Sequence, residues 1–264
     1  MKKILFIIIG ISMLFACQQT PDTTANATAN AAPSIDMSQY PDALQKIFAK
    51  HGSLATWEKM KALSYEIVDT IAGNELQKID LHNRREYIAS PTFKTGYDGK
   101  DFWVEADTSY KGNPIFYHNL MFYFYAMPFV LADDGIIYSD TDTITYEGQS
   151  YPGIRISYND GVGVSSKDEY FIHYNPETYQ MEWLGYTVTY FSKEKSQRIS
   201  WIRYDDWKAF NGLLLPNSMT WYKVEDGEII EPRKKRPFAN IQVSETAFPD
   251  ETFAATANAT IVKE

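Results

Sequence analysis

Apolar positions follow four successive patterns along the chain. Lys2 and Lys3 precede an apolar run from Ile4 to Phe15. A positive start, a run too short for a comfortable membrane span and a small residue at the cut site make a secretion signal ending at Ala16. From Gln18 to about Gln39 the residues are mainly Thr, Ala, Asn, Pro and Gln, without the apolar spacing of a helix or strand, which predicts a disordered tether. Helical spacing comes next. Leu44, Ile47 and Phe48 share a face, with Pro41 in the first turn and His51-Gly52 closing the helix. A second helix starts at a Ser53 cap and carries Leu54, Trp57, Met60 and Lys61. From Leu63-Ser64-Tyr65-Glu66-Ile67 onward the period falls to two. The apolar runs are then separated by Ala72-Gly73-Asn74, Asp98-Gly99, Asn159-Asp160-Gly161, Asn175-Pro176, Asn211-Gly212 and Asp226-Gly227. That turn chemistry predicts about ten strands, mostly in antiparallel hairpins.

Two runs show a buried and a wet face. Pro152, Ile154, Ile156 and Tyr158 alternate with Gly153, Arg155 and Ser157, and Ala239, Ile241 and Val243 alternate with Asn240, Gln242 and Ser244. From Trp183 to Phe191 and from Arg198 to Trp207, aromatic residues fall on both faces, as expected where a sheet is covered twice. Pro114 to Leu131 breaks the series, being apolar on nearly every side of a helix, while His118, Asn119 and Pro128 make it a poor membrane span. We read it as a helix against the concave side of the sheet; the alternative is another strand, because Tyr and Phe favour strands. The pattern is therefore mainly β with a few helices, a strongly curved antiparallel sheet with helices on its concave side.

Charge and cysteine count narrow the location. The chain carries 25 Lys+Arg against 34 Asp+Glu, a formal charge of −9, which argues against a nucleic-acid partner because phosphate binding needs a basic face. Leu14-Phe15-Ala16-Cys17 looks like a bacterial lipobox, in which the signal is cut before a cysteine that receives acyl chains of the palmitate class. Several chains at about 0.8 kcal/mol per buried methylene make a durable anchor. The alternative is a plain secretory signal beside an unmodified cysteine. Lipidation at Cys17 would use the only cysteine, so no disulfide is expected, and cleavage would leave a side-chain charge of 23 − 34 = −11. Gln18 after the cysteine resembles the outer-membrane sorting pattern. The expected organisation is a signal peptide over 1–16, a lipidated cysteine and tether over 17–39, one domain over 40–250 and a C-terminal tail over 251–264.

Tyr97-Asp98-Gly99-Lys100 with Trp103, then Tyr174-Asn175-Pro176-Glu177-Thr178, then Tyr204-Asp205-Asp206-Trp207 followed by Asn211-Gly212 and Leu215-Pro216, form an ordered set of hairpin motifs. Over about residues 42 to 247 this set resembles the LolA/LolB-like lipoprotein-sorting superfamily, and more closely its uncharacterised lipid-anchored relatives. The resemblance implies a half-barrel whose apolar interior holds acyl chains. Here that interior is expected to involve Tyr65, Ile67, Trp103, Phe116, Tyr117, Leu120, Phe124, Trp183, Trp201 and Trp221; the alternative is that these residues fill a solid core.

Catalytic motifs are not apparent. His51, His82, His118 and His173 are widely separated and lack metal-ligand spacing, so no metal and no cofactor are expected. Asp140-Thr141-Asp142-Thr143-Ile144 lacks the glycine of a calcium loop, and Gly161-Val162-Gly163-Val164-Ser165 fits neither a phosphate loop nor a nucleophile elbow. Asp133-Asp134 and Asp205-Asp206 read as solvated turns. Arg233-Lys234-Lys235-Arg236, between Pro232 and Pro237, reads as an exposed hairpin loop or a contact for lipid phosphates. The sequence thus points to a monomeric, non-enzymatic envelope lipoprotein that binds an apolar or acylated ligand. The alternatives are a scaffold with an envelope protein partner and, third, a hydrolase.

Overall fold

The computed structural model describes residues 35–106, 110–159, 167–192 and 194–263. The signal peptide, Cys17, most of the tether and the Gly161 to Ser165 segment lie outside these residues. Two helices open the described part: α1 (Asp42–Lys50) and α2 (Leu54–Trp57). Leu44, Ile47 and Phe48 of α1 are all buried, and Ser53 Oγ accepts the Thr56 N–H at 3.2 Å as the α2 cap. Ahead of α1, Asp36 caps a 3-10 turn over Met37–Gln39, and Ile35 and Met37 pack against the core.

Five strands follow: β1 (Ala62–Ile67), β2 (Glu75–Asp80), β3 (Glu86–Ala89), β4 (Phe93–Tyr97) and β5 (Phe102–Ala106). A helical stretch of α3 (Pro114–Tyr117), α4 (Leu120–Tyr125) and a 3-10 turn (Phe129–Ala132) comes next. The chain then runs through β6 (Ile136–Tyr146), β7 (Gln149–Tyr158), β8 (Tyr170–Tyr174), β9 (Met181–Tyr186), β10 (Ser200–Phe210), β11 (Leu213–Glu225), β12 (Glu228–Ser244) and β13 (Thr260–Val262). All pairings are antiparallel, in the order β13-β5-β4-β3-β2-β1-β12-β11-β10-β9-β8-β7-β6. The sheet has two edges and does not close into a barrel. It is the mainly β, antiparallel sheet that the alternation predicts and the curved half-barrel that the resemblance implies, with thirteen described strands rather than about ten.

Topology places the helices. β5 lies next to one edge of the sheet and β6 forms the other, so the chain joining them spans the sheet, and it does so on the concave side, against Tyr65 and Ile67. The expected single helix over 114–131 is broken into three pieces. Asn119 adopts a left-handed φ of 56°, which Asn tolerates through its short polar side chain, and Pro128 cannot continue the hydrogen-bond ladder. Stacking fixes the pieces: Tyr65 lies on Tyr125 at 4.2 Å, and Trp57 lies on Phe129 at 4.8 Å with rings 6° from parallel. Tyr204 donates its hydroxyl hydrogen to the Phe124 carbonyl at 2.6 Å. His51 ties α1 to the far strands, its Nδ1–H donating to Leu214 O at 3.2 Å and its Nε2 accepting the Met181 N–H at 3.1 Å.

The opposite face carries two smaller clusters. Tyr151, Trp183 and Trp201 are buried together beside Tyr146 and Tyr222 of the long hairpins. At the other end Trp103 lies over Gly96 and donates Nε1–H to Phe253 O at 2.9 Å. In the C-terminal tail Phe253 is buried and β13 pairs with β5. Nor is the Arg233 to Arg236 cluster a hairpin loop, since it lies within β12, paired with β11.

Candidate functional site

The site begins with unequal strand lengths. The register of β1 with β12 covers Phe238–Ser244 and one more backbone bond reaches Pro237, so residues 228–236 of β12 run on beyond the end of β1, paired on one side alone. Asp69 turns the chain away: its carboxylate accepts the Ile71 and Ala72 N–H groups at 3.0 and 2.9 Å and pairs with Arg236 at 2.9 Å. These backbone donors and the Arg236 guanidinium hold the Asp69 carboxyl down at about 2. The parting of β1 from β12 leaves an open cleft of about 480 Å³. One wall comes from Ile67, Asp69, Ala72, Gly73 and Glu75, another from Ser90, Thr92 and Phe93, a third from Tyr117 and Met121 of the helical stretch, and the last from Trp221, Arg233, Lys234 and Arg236.

A hydrogen-bonded chain lies at its base. Tyr65 donates to Gln77 Oε1 at 2.5 Å, Gln77 Nε2–H donates to Glu75 Oε1 at 2.8 Å, and Tyr117 donates to the same oxygen at 2.7 Å. Burial pushes the Glu75 carboxyl up, against the pull of those two donors. The Tyr117 hydroxyl is also pushed up, by burial first and then by the Glu75 charge. Nearby, buried Glu86 accepts the His118 Nδ1–H at 3.2 Å and the Asn119 N–H at 3.1 Å through Oε2, while its Oε1 has no partner.

Of the residues singled out from sequence, Ile67, Tyr117 and Trp221 come together around the cleft. Tyr65 lies beneath it. Phe124 is buried between Tyr186 and Trp221, and Leu120 packs against the same core. Phe116 stands against Tyr190 and Phe191. Trp103, Trp183 and Trp201 lie on the opposite face and cannot reach a concave-side ligand, because neighbouring strand residues point to opposite faces. Cys17 lies outside the described residues. Sequence reasoning missed Asp69, Glu75, Phe93 and Met121 as partners in one site, and it left Arg233 to Arg236 apart from the ligand. The flanking prolines suggested a loop, yet this half of β12 has a free edge, where a proline is tolerated.

Residues 100–230 match DUF6503, a family of unknown function. None of the curated proteins matches this chain. Among solved structures the chain is similar to a LolA superfamily protein from Nitrosomonas europaea, at 11% identity over 80% of this chain and 97% of that one, with a TM-score of 0.44. It is also similar to a DUF1329 family protein from Desulfovibrio piger, at 11% identity over 81% and 98%, with a TM-score of 0.49. A third is lipoprotein LppX of Mycobacterium tuberculosis, at 8% identity over 56% and 88%, with a TM-score of 0.25.

Proposed function

We propose that this protein is a lipid-anchored, non-enzymatic binding protein of the cell envelope that holds an apolar or acylated ligand in the cleft beside β12. One observation carries the reading: Ile67, Phe93, Met121 and Trp221 line an open space of about 480 Å³ beside the packed core. Such a volume falls within the roughly 300–1,000 Å³ of small-molecule sites. An acyl chain left in water forfeits about 0.8 kcal/mol per methylene, so a cleft of this lining stabilises it. Cys17 supplies the anchor, and Gln18 directs it to the outer membrane.

Met121→Trp is the test, because Met121 borders the cleft and a larger ring there fills it. The full chain should take up a fluorescent fatty acid, and native mass spectrometry of protein from its own host should show a bound acyl ligand. Met121→Trp should abolish uptake while the unfolding transition stays in place. Unchanged uptake in that variant, or wild-type protein that binds neither probe nor host lipid, refutes the reading. The filled concave core favours a second reading, an envelope interaction module acting through its rim. On that reading a partner co-purifies equally well with the Met121→Trp variant.

A further inference from the structure

β11 and β12 fall out of register at one place in the cleft wall. Trp221 faces Lys234 and Tyr222 faces Pro232, so Arg233 is an extra residue, a β-bulge. A bulge re-aims side chains, and here it explains how two consecutive strand residues, Arg233 and Lys234, both line the cleft, when regular strand geometry would send one to each face. Their charges are available. Asp69 and Arg236 neutralise each other, and Glu75 is held lower in the site by Tyr117 and Gln77. Arg233 and Lys234 make no salt bridge among the described residues, in a chain of net charge −9. They stand at the solvent-exposed rim, above an apolar lining that includes Trp221 and Met121.

We infer that the cleft takes a single-chain anionic amphiphile, with its carboxylate or phosphate head on Arg233 and Lys234 and its tail on Trp221, Met121, Ile67 and Phe93. This inference rests on the reading of the cleft as a ligand site. Charge-assisted contacts give the head its selectivity, and the apolar lining gives the tail its affinity.

The test uses the full chain in zwitterionic nanodiscs, with empty discs as the blank and a neutral fluorescent alkyl probe to be displaced. The competitors share one tail: hexadecanoate, hexadecyl phosphate, hexadecanol and hexadecyltrimethylammonium. At least one anion should displace the probe about tenfold better than hexadecanol, and the cation should be weakest. The Arg233→Ser/Lys234→Ser double variant should bring that ratio to within about twofold. Hexadecanoate ahead of hexadecyl phosphate assigns a carboxylate head, and the reverse order a phosphate head. Equal displacement by hexadecanol and both anions in the wild type overturns the head assignment and leaves the cleft reading standing. Displacement by none of the four overturns both, and inorganic phosphate competing as well as hexadecyl phosphate replaces the amphiphile with a free anion. The wild-type ranking decides the matter even if the double variant fails to fold.

Discussion

Lowering the pH from near 7.5 to about 5 should cost the fold about 4 kcal/mol through two histidines. His51 and His173 are fully buried, and burial pulls each down from 6.5 to about 4. Both are held as neutral rings. His51 is clamped between Leu214 O and the Met181 N–H, and His173 Nδ1 donates to Tyr151 O at 3.0 Å. In the unfolded chain each imidazole takes up a proton near 6.5, whereas in the folded chain it does so only near 4. The unfolded state therefore binds more protons between those values, and stability falls as pH drops through that window. At about pH 5 the difference is about 2 kcal/mol for each histidine, approaching about 3 kcal/mol once both states are protonated. Carboxyls held low, such as Asp69 at about 2, lose their contribution only at lower pH. Glu75, Asp133 and Glu182, which burial raises, act in the opposite sense and offset part of the loss as pH falls.

Urea unfolding at the two pH values, for the wild type and for His51→Gln and His173→Gln, measures this directly. Each variant starts less stable but should show about 2 kcal/mol less pH dependence than the wild type, because the comparison is of slopes. A wild-type change below about 1 kcal/mol, or variants with the full wild-type change, would refute the assignment of the window to these two rings.

Two further substitutions test the packing. A Cβ at Gly96 would meet the Trp103 ring at 2.4 Å and the Glu86 carbonyl at 2.8 Å, so Gly96→Ala should cost about 1–3 kcal/mol in urea unfolding and alter the near-UV signal of Trp103; unchanged stability would show that the ring can move aside. Phe124→Asp places a carboxylate between Tyr186 and Trp221 in the core and should cost at least about 4 kcal/mol, so that folding and ligand are lost together; a folded variant that lacks only the ligand would return Phe124 to the cleft.

Local chemistry made much of the architecture readable. The Ser53 cap, the α1 face and the two-residue turns act over a few residues, and the structure keeps them: Asn211-Gly212 and Asp226-Gly227 both have positive φ at both positions, as a tight hairpin turn requires. Glu147-Gly148 does the same between β6 and β7, with Glu147 in place of the usual Asn or Asp. What alternation could not give was the face. A period of two separates the sides of a strand without naming the inner one, so Trp103, Trp183 and Trp201 looked as suited to a ligand as Trp221 did. The deciding partners are far away in sequence: Phe253 for Trp103, and Tyr146 and Tyr222 for Trp183. Topology was equally remote. Only the pairing of β1 with β12 puts β5 and β6 toward opposite ends of one sheet, so that the chain between them has to span it.

The same pairing explains why a cleft survives beside a large packed core. Val68 donates to Pro237 O at 3.0 Å as the last backbone link between the two strands, and at the next residue Asp69 begins the turn. Ile71, at its tip, is 97% exposed, so the turn is held by carboxylate bonds rather than by apolar packing. A wall held in that way does not need the space behind it to be filled. Ile67 ends the packed strand, Arg236 is spent on Asp69, and the bulge at Arg233 falls on the stretch of β12 that β1 has released. In a central strand paired on both sides a bulge would disturb two ladders; here it disturbs one, and the re-aimed cation faces open space.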